Sequence, residues 1–135
     1  MAPLSARVRS LSSSDWRLLI ETTMVVIAAR VALSLTGVRG ARPTVRHLAG
    51  FTGASDTARM PWAVACVSRR IPGASCLTQA LALQAMLARA GRACRIEVGV
   101  AREDEFEAHA WVVCGTEIVL GGQGVGKFRT VATFD

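Results

Sequence analysis

The sequence predicts an α+β domain in which N-terminal helices pack on a C-terminal antiparallel sheet. Three observations lead there: apolar residues recur every three to four positions up to residue 90, they alternate from residue 93 onward, and tight-turn residues separate the alternating runs. Strands joined by such short turns must run antiparallel, and helices that precede a run of strands are typical of this class. At 135 residues the chain suits a single domain, 1–135, with one core. Its first fourteen residues are polar, rich in Ser and expected to fray.

Ser14-Asp15 offers an N-cap to the first helix, "WRLLIETTMVVIAARVALSL", which Gly37 is expected to stop. Leu18, Leu19, Met24, Val25, Ala28, Val31, Ala32 and Leu35 approximate helical spacing, while Arg17, Glu21 and Arg30 interrupt the run. It therefore lacks the roughly 18 uncharged apolar residues of a membrane span. Residues 37–55 mix Gly, Pro, Arg and Ser with little periodicity and are expected to form a linker. Asp56 caps a second helix that ends near Arg70, ahead of "IPG". The third runs from Cys76 to Ala90, with Ser75 as N-cap and Gly91 as stop; it is apolar on most sides and must be buried on most sides.

The period then changes to two. "ACRIEVGVAR" alternates, "EDE" turns, "FEAHAWVV" alternates again, and "CGT" precedes "EIVLGG". A last strand lies near "FRTVATF", beyond the Gly-rich "GGQGVG". That segment is no phosphate loop, because neither "GK[ST]" nor a following helix accompanies it.

Composition excludes several functions. The chain is 51% hydrophobic and 19% charged, too apolar for wholesale disorder. Three Trp, four Phe and no Tyr make a poor base-stacking platform, so nucleic acid is not an expected partner. The net charge of +6 is carried mostly by dispersed arginines, which suits an acidic partner or a solvated surface. Cys66, Cys76, Cys94 and Cys114 form no CxxC pair, which argues against zinc. With no credible secretory signal, the expectation is a cytoplasmic protein with reduced thiols.

One pair of residues carries chemistry. A cysteine in the first helical turn faces unpaired backbone N–H groups and the positive end of the helix dipole, which favour thiolate, the nucleophilic form. An imidazole within reach takes the thiol proton and later protonates the leaving group. Cys76 opens the third helix, and His109 stands 33 positions later inside the alternating "FEAHAWVV". Trp111 shares the face of His109, and His47 sits in an Arg-rich stretch without a partner. Cys66, Cys94 and Cys114 read as small packing residues.

"CLTQALALQAMLARAGRACRIEVGVARE" followed by "FEAHAWVV" resembles the leader peptidases of lasso-peptide biosynthesis, which have a transglutaminase-like, papain-related cysteine-protease fold. The similarity extends over nearly the whole chain and rests on the "CL..ALAL..ML...G" and "AHAW" blocks. It implies a leader peptidase with Cys76 as nucleophile and His109 as base, and no metal or organic cofactor. It also implies a precursor peptide as substrate, a separate leader-recognition protein and an ATP-dependent lasso cyclase acting afterwards. Arg17, Arg30, Arg39, Arg42 and Arg46 are candidate contacts for that recognition protein or for the leader. The related fold places an acid about a dozen residues after the histidine; here Gly121 falls at that position. If "CG" closes the hairpin, His109 faces Leu120 and Glu117 lies too far along the strand to touch it. A backbone carbonyl near Gly121 or the amide of Gln123 is left to orient the ring. An acyltransferase on the same fold and a non-catalytic binding module are the alternatives.

Overall fold

The computed structural model describes residues 11–49, 57–102, 106–122, 126 and 128–135. Three helices, α1 (Ser13–Leu48), α2 (Met60–Ser68) and α3 (Cys76–Arg89), pack on a four-stranded antiparallel sheet of β1 (Arg95–Arg102), β2 (Phe106–Cys114), β3 (Glu117–Leu120) and β4 (Arg129–Phe134). The strand order β3-β2-β1-β4 makes β1 and β2 the central pair. The predicted fold class is the one observed.

α1 differs most from expectation. Its cap is Ser12, which exchanges hydrogen bonds with Asp15 in a capping box, two residues before the expected Ser14 cap. Gly37 does not stop the helix: at φ 71° and ψ −176° it breaks the helical path, and a second helical segment follows. Residues expected to form a linker therefore lie in helix up to Leu48. The reason is burial, since Ala41, Val45 and Ala49 recur at four-residue spacing and all three are fully buried. The Asp56 cap expected for α2 lies outside the described residues. α2 is instead described from Met60, with Pro61 in the first turn and the Arg59 guanidinium 4.3 Å from the Trp62 ring centroid.

The core lies between the three helices and one face of the sheet. α1 contributes Leu18, Val25, Val26, Ala29 and Ala32, whereas Trp16, Ile20, Met24, Ile27, Val31 and Leu35 on its other side stay exposed. Length and apolarity alone would let α1 cross a bilayer, contrary to the expectation from its interrupting charges; a third of its apolar window is buried in the domain. α3 is buried at every position from Ala80 to Leu87, as its all-round apolarity requires. Gln84 is the polar exception; its side-chain amide donates to the carbonyls of Cys94 (3.1 Å) and Phe134 (2.8 Å) and so ties α3 to the ends of β1 and β4.

Cys94 and Cys114 correct a second expectation. They form a disulfide with Cα atoms 4.4 Å apart, rather than standing as reduced packing residues. The antiparallel register explains it: Arg95 pairs with Val113, so the next position outward sets Cys94 opposite Cys114. Cys66 and Cys76 are free thiols.

Candidate active site

Cys76 is the first residue of α3, where the sequence places it. Ser75 has extended dihedrals, and its hydroxyl accepts from the Thr78 N–H at 3.2 Å, while the Gln79 N–H reaches the Ser75 carbonyl at 3.0 Å. Among the described residues, no acceptor serves the N–H groups of Cys76 and Leu77. Two donors thus remain at the helix N-terminus beside a half-buried thiol. Such donors suit an anionic oxygen.

His109 lies on β2 opposite Gly99 of β1. Its Nε2–H donates to the Gly121 carbonyl at 2.7 Å, which leaves Nδ1 as the nitrogen that exchanges a proton. The ring packs at 6.1 Å from Trp111 and 5.3 Å from Phe128, centroid to centroid. Trp111, only 3% exposed, donates its indole N–H to Glu97 at 2.8 Å, and Glu97 is also paired with Arg95. An ordered chain of Arg95, Glu97, Trp111 and His109 therefore runs across β1 and β2.

The Gly121 position explains why no acid occupies it. Its φ is +78°, and a Cβ there would meet the Ala110 carbonyl at 2.9 Å and His109 Nε2 at 3.3 Å. Only glycine fits that close approach, so the backbone supplies the ring's partner. The expected register also shifts. Val112, not His109, faces Leu120, with a bulge between Val112 and Val113, and Cys114 faces Glu117. Glu117 remains at the far end of β2 from His109. Asp15 is engaged by Arg59 at 3.0 Å, and Asp135 lines cavities beside Arg46 and Arg89. Asp56, Asp104 and Gln123 lie outside the described residues.

The structure does not join Cys76 to His109 by a hydrogen bond. Cys76 packs against the core beneath the helices, to which Ala110 and Val112 of β2 also belong. Strand alternation puts His109 and Trp111 on the opposite pleat from Ala110 and Val112. Sequence reasoning missed Glu97 and Phe128 as parts of this environment. The hairpin register, which sets Glu97 opposite Trp111, was the available signal for the first. His47 lines a cavity with Arg42, Arg46 and Arg89, away from the His109 cluster. No group of three or more His, Cys, Asp and Glu suited to a metal occurs among the described residues.

A family model, that of the transglutaminase-like superfamily, matches residues 18–133. Members of that superfamily are typically cysteine-dependent enzymes. No curated protein and no solved structure matches the chain.

Proposed function

We propose that this chain, which belongs to the transglutaminase-like superfamily, is a cysteine peptidase that removes the leader from a ribosomally made lasso-peptide precursor. The observation that carries the reading is the free Cys76 thiol at the first position of α3, beside two unpaired backbone N–H groups. The sequence blocks around Cys76 and His109 supply the leader-peptidase subtype. A separate leader-binding protein delivers the precursor, and an ATP-dependent cyclase acts on the released core.

In this mechanism the Cys76 thiolate attacks the scissile carbonyl, and the oxyanion forms beside the N–H groups of Cys76 and Leu77. His109, having taken the thiol proton at Nδ1, returns it to the leaving amine. Water then hydrolyses the acyl-thioester and regenerates the thiol. The step requires Nδ1 to reach Sγ although His109 stands on the pleat opposite the one that packs on the helices, so substrate binding has to bring the two together rather than tighten an existing bond. Because attack by an amine instead of water would make the same acyl-enzyme a transfer intermediate, an added amine separates peptidase from acyltransferase.

The experiment combines purified protein, candidate precursor and leader-binding partner, with mass spectrometry as readout. Cleavage at one bond, lost in Cys76→Ala, is the expected result; unchanged cleavage by Cys76→Ala rejects the mechanism. The open Cys76–His109 pair favours one rival, a binding module with an inert thiol. Slow alkylation of Cys76 by iodoacetamide at neutral pH, no faster than that of a simple thiol, would support that rival.

A further inference from the structure

The described residues carry a second site of distinct chemistry along the flank of α3. A cavity of about 540 Å³ is lined by Arg42, Arg46 and Arg89, together with Leu81, Gln84 and Asp135. A neighbouring cavity of about 490 Å³ shares Arg46, Arg89 and Asp135 and extends to Arg95. Arg42, Arg46 and Arg89 thus line one pair of adjoining hollows in which Asp135 is the single acidic residue among the described ones, while Arg95 at the rim is paired with Glu97. Among the described residues, no carboxylate forms an ion pair with Arg42, Arg46 or Arg89. Their positions are nevertheless fixed: Arg89 Nε donates to the Arg46 carbonyl at 3.1 Å, and the Arg42 guanidinium lies 5.5 Å from the Phe134 ring centroid.

We infer that this groove binds an acidic, extended segment of the polypeptide substrate. Guanidinium forks are matched to carboxylates, which they hold through paired hydrogen bonds. The apolar part of the lining, Leu81 and Ala85, suits the aliphatic stems of Glu side chains better than a compact inorganic anion. Among the described residues no Trp, Tyr or Phe lines either cavity, and His47 is the one ring on which an unpaired base could stack. Leu81, Gln84, Ala85, Ala88 and Arg89 follow the three- and four-residue spacing of one helical stripe. The groove therefore runs along the same helix that carries Cys76 at its other end. Arg89 stands thirteen residues from Cys76, or about 20 Å at ~1.5 Å per residue. An extended chain covers that span with roughly six residues at ~3.3 Å each. The site accordingly holds carboxylates about that far from the bond attacked. Identifying their owner as the substrate rests on the peptidase reading above; the groove's preference for acidic peptide does not.

The test uses full-length Cys76→Ala protein and a fluorescein-labelled peptide containing six consecutive Glu, read by fluorescence anisotropy. Binding should weaken as salt rises, and a peptide with six Gln should not bind. Arg42→Gln/Arg46→Gln should lower affinity by about tenfold or more, as expected when two charge-assisted contacts are removed. Arg69→Gln/Arg70→Gln, on exposed residues elsewhere, should leave it unchanged. Should the double variant misfold by circular dichroism, exposed Arg46→Gln alone serves, since the hydrogen bond from Arg89 reaches the Arg46 backbone and survives the change. Equal affinity of the groove variants, equal binding of the Gln peptide, or tighter binding of a single-stranded oligonucleotide overturns the site. With the active enzyme, a cleavable peptide bearing the acidic stretch should show a higher kcat/KM than its Gln twin, and Arg46→Gln should abolish the advantage. Groove-dependent binding without that advantage overturns the substrate as owner. Groove-dependent binding by a protein that cleaves no precursor overturns the peptidase reading and leaves the groove standing.

Discussion

The two faces of the β1–β2 pair use the same backbone for opposite purposes. One face carries Ile96, Ala110, Val112 and the Cys114 end of the disulfide into the core under the helices. The other carries Glu97, His109 and Trp111, held by directed contacts with Arg95, Gly121 and Phe128. Strand alternation alone separates the two sets. Burial is not what distinguishes them, since Trp111 at 3% exposed is as buried as much of the core. The difference is chemical: the first face is interchangeable aliphatic volume, while the second positions one imidazole through hydrogen bonds and ring contacts.

The comparison breaks most sharply through activity. Cys76→Ala should remove precursor cleavage entirely with the circular dichroism spectrum intact, whereas Cys66→Ala should retain most turnover. His109→Ala should lower kcat by about two orders of magnitude or more, the usual contribution of a general base. Its denaturation midpoint should move little. Ile96→Ala, from the opposite face, should show the reverse: about 2–5 kcal/mol lost in urea unfolding, with turnover per folded molecule preserved. If Ile96→Ala abolished turnover in fully folded protein, the two faces would not divide the work as argued.

The disulfide sharpens the stabilising side. Cys94→Ser/Cys114→Ser should cost about 3 kcal/mol in denaturant unfolding, as expected for a loop of this size, and reducing agent should lower the wild-type midpoint without affecting the double variant. Gly121→Ala probes the other face. It forces a side chain onto a φ of +78° beside His109, so more than about 1 kcal/mol of stability should be lost. The displaced carbonyl should also lower kcat, and a kcat equal to wild type would show that the Gly121–His109 bond is dispensable. The smallest effect is expected from Trp111→Phe, which removes the indole N–H donated to Glu97. About 1 kcal/mol should go.

Much of this was legible in one dimension. The apolar period yielded three helices, alternation yielded the strands, and Ser75 before an apolar run marked the N-terminus of α3. Cys76 stood out because a helix N-terminus favours thiolate, and His109 because an imidazole interrupts an alternating, largely apolar strand. The register of the hairpin was also latent in the sequence. Once Arg102 is paired with Phe106, Cys94 falls opposite Cys114 and Glu97 opposite Trp111, and an antiparallel ladder leaves no freedom in those pairings.

What the chain could not disclose locally depends on contacts between distant residues. Gly37 is a helix terminator by propensity, yet helix resumes beyond it because burial of Ala41, Val45 and Ala49 outweighs the local preference. The bulge at Val112–Val113 moved the β3 register by a step that no turn residue announces. Arg42, Arg46, Arg89 and Arg95 are dispersed over more than fifty positions, and only the packing of α1 against α3 and the sheet gathers them on one groove. Periodicity and capping are properties of neighbours in sequence, so the sequence determined the elements and the candidate nucleophile. Which pleat faces the helices, which carbonyl holds His109 and which charges share a hollow are set by three-dimensional packing, and these the tertiary structure decided.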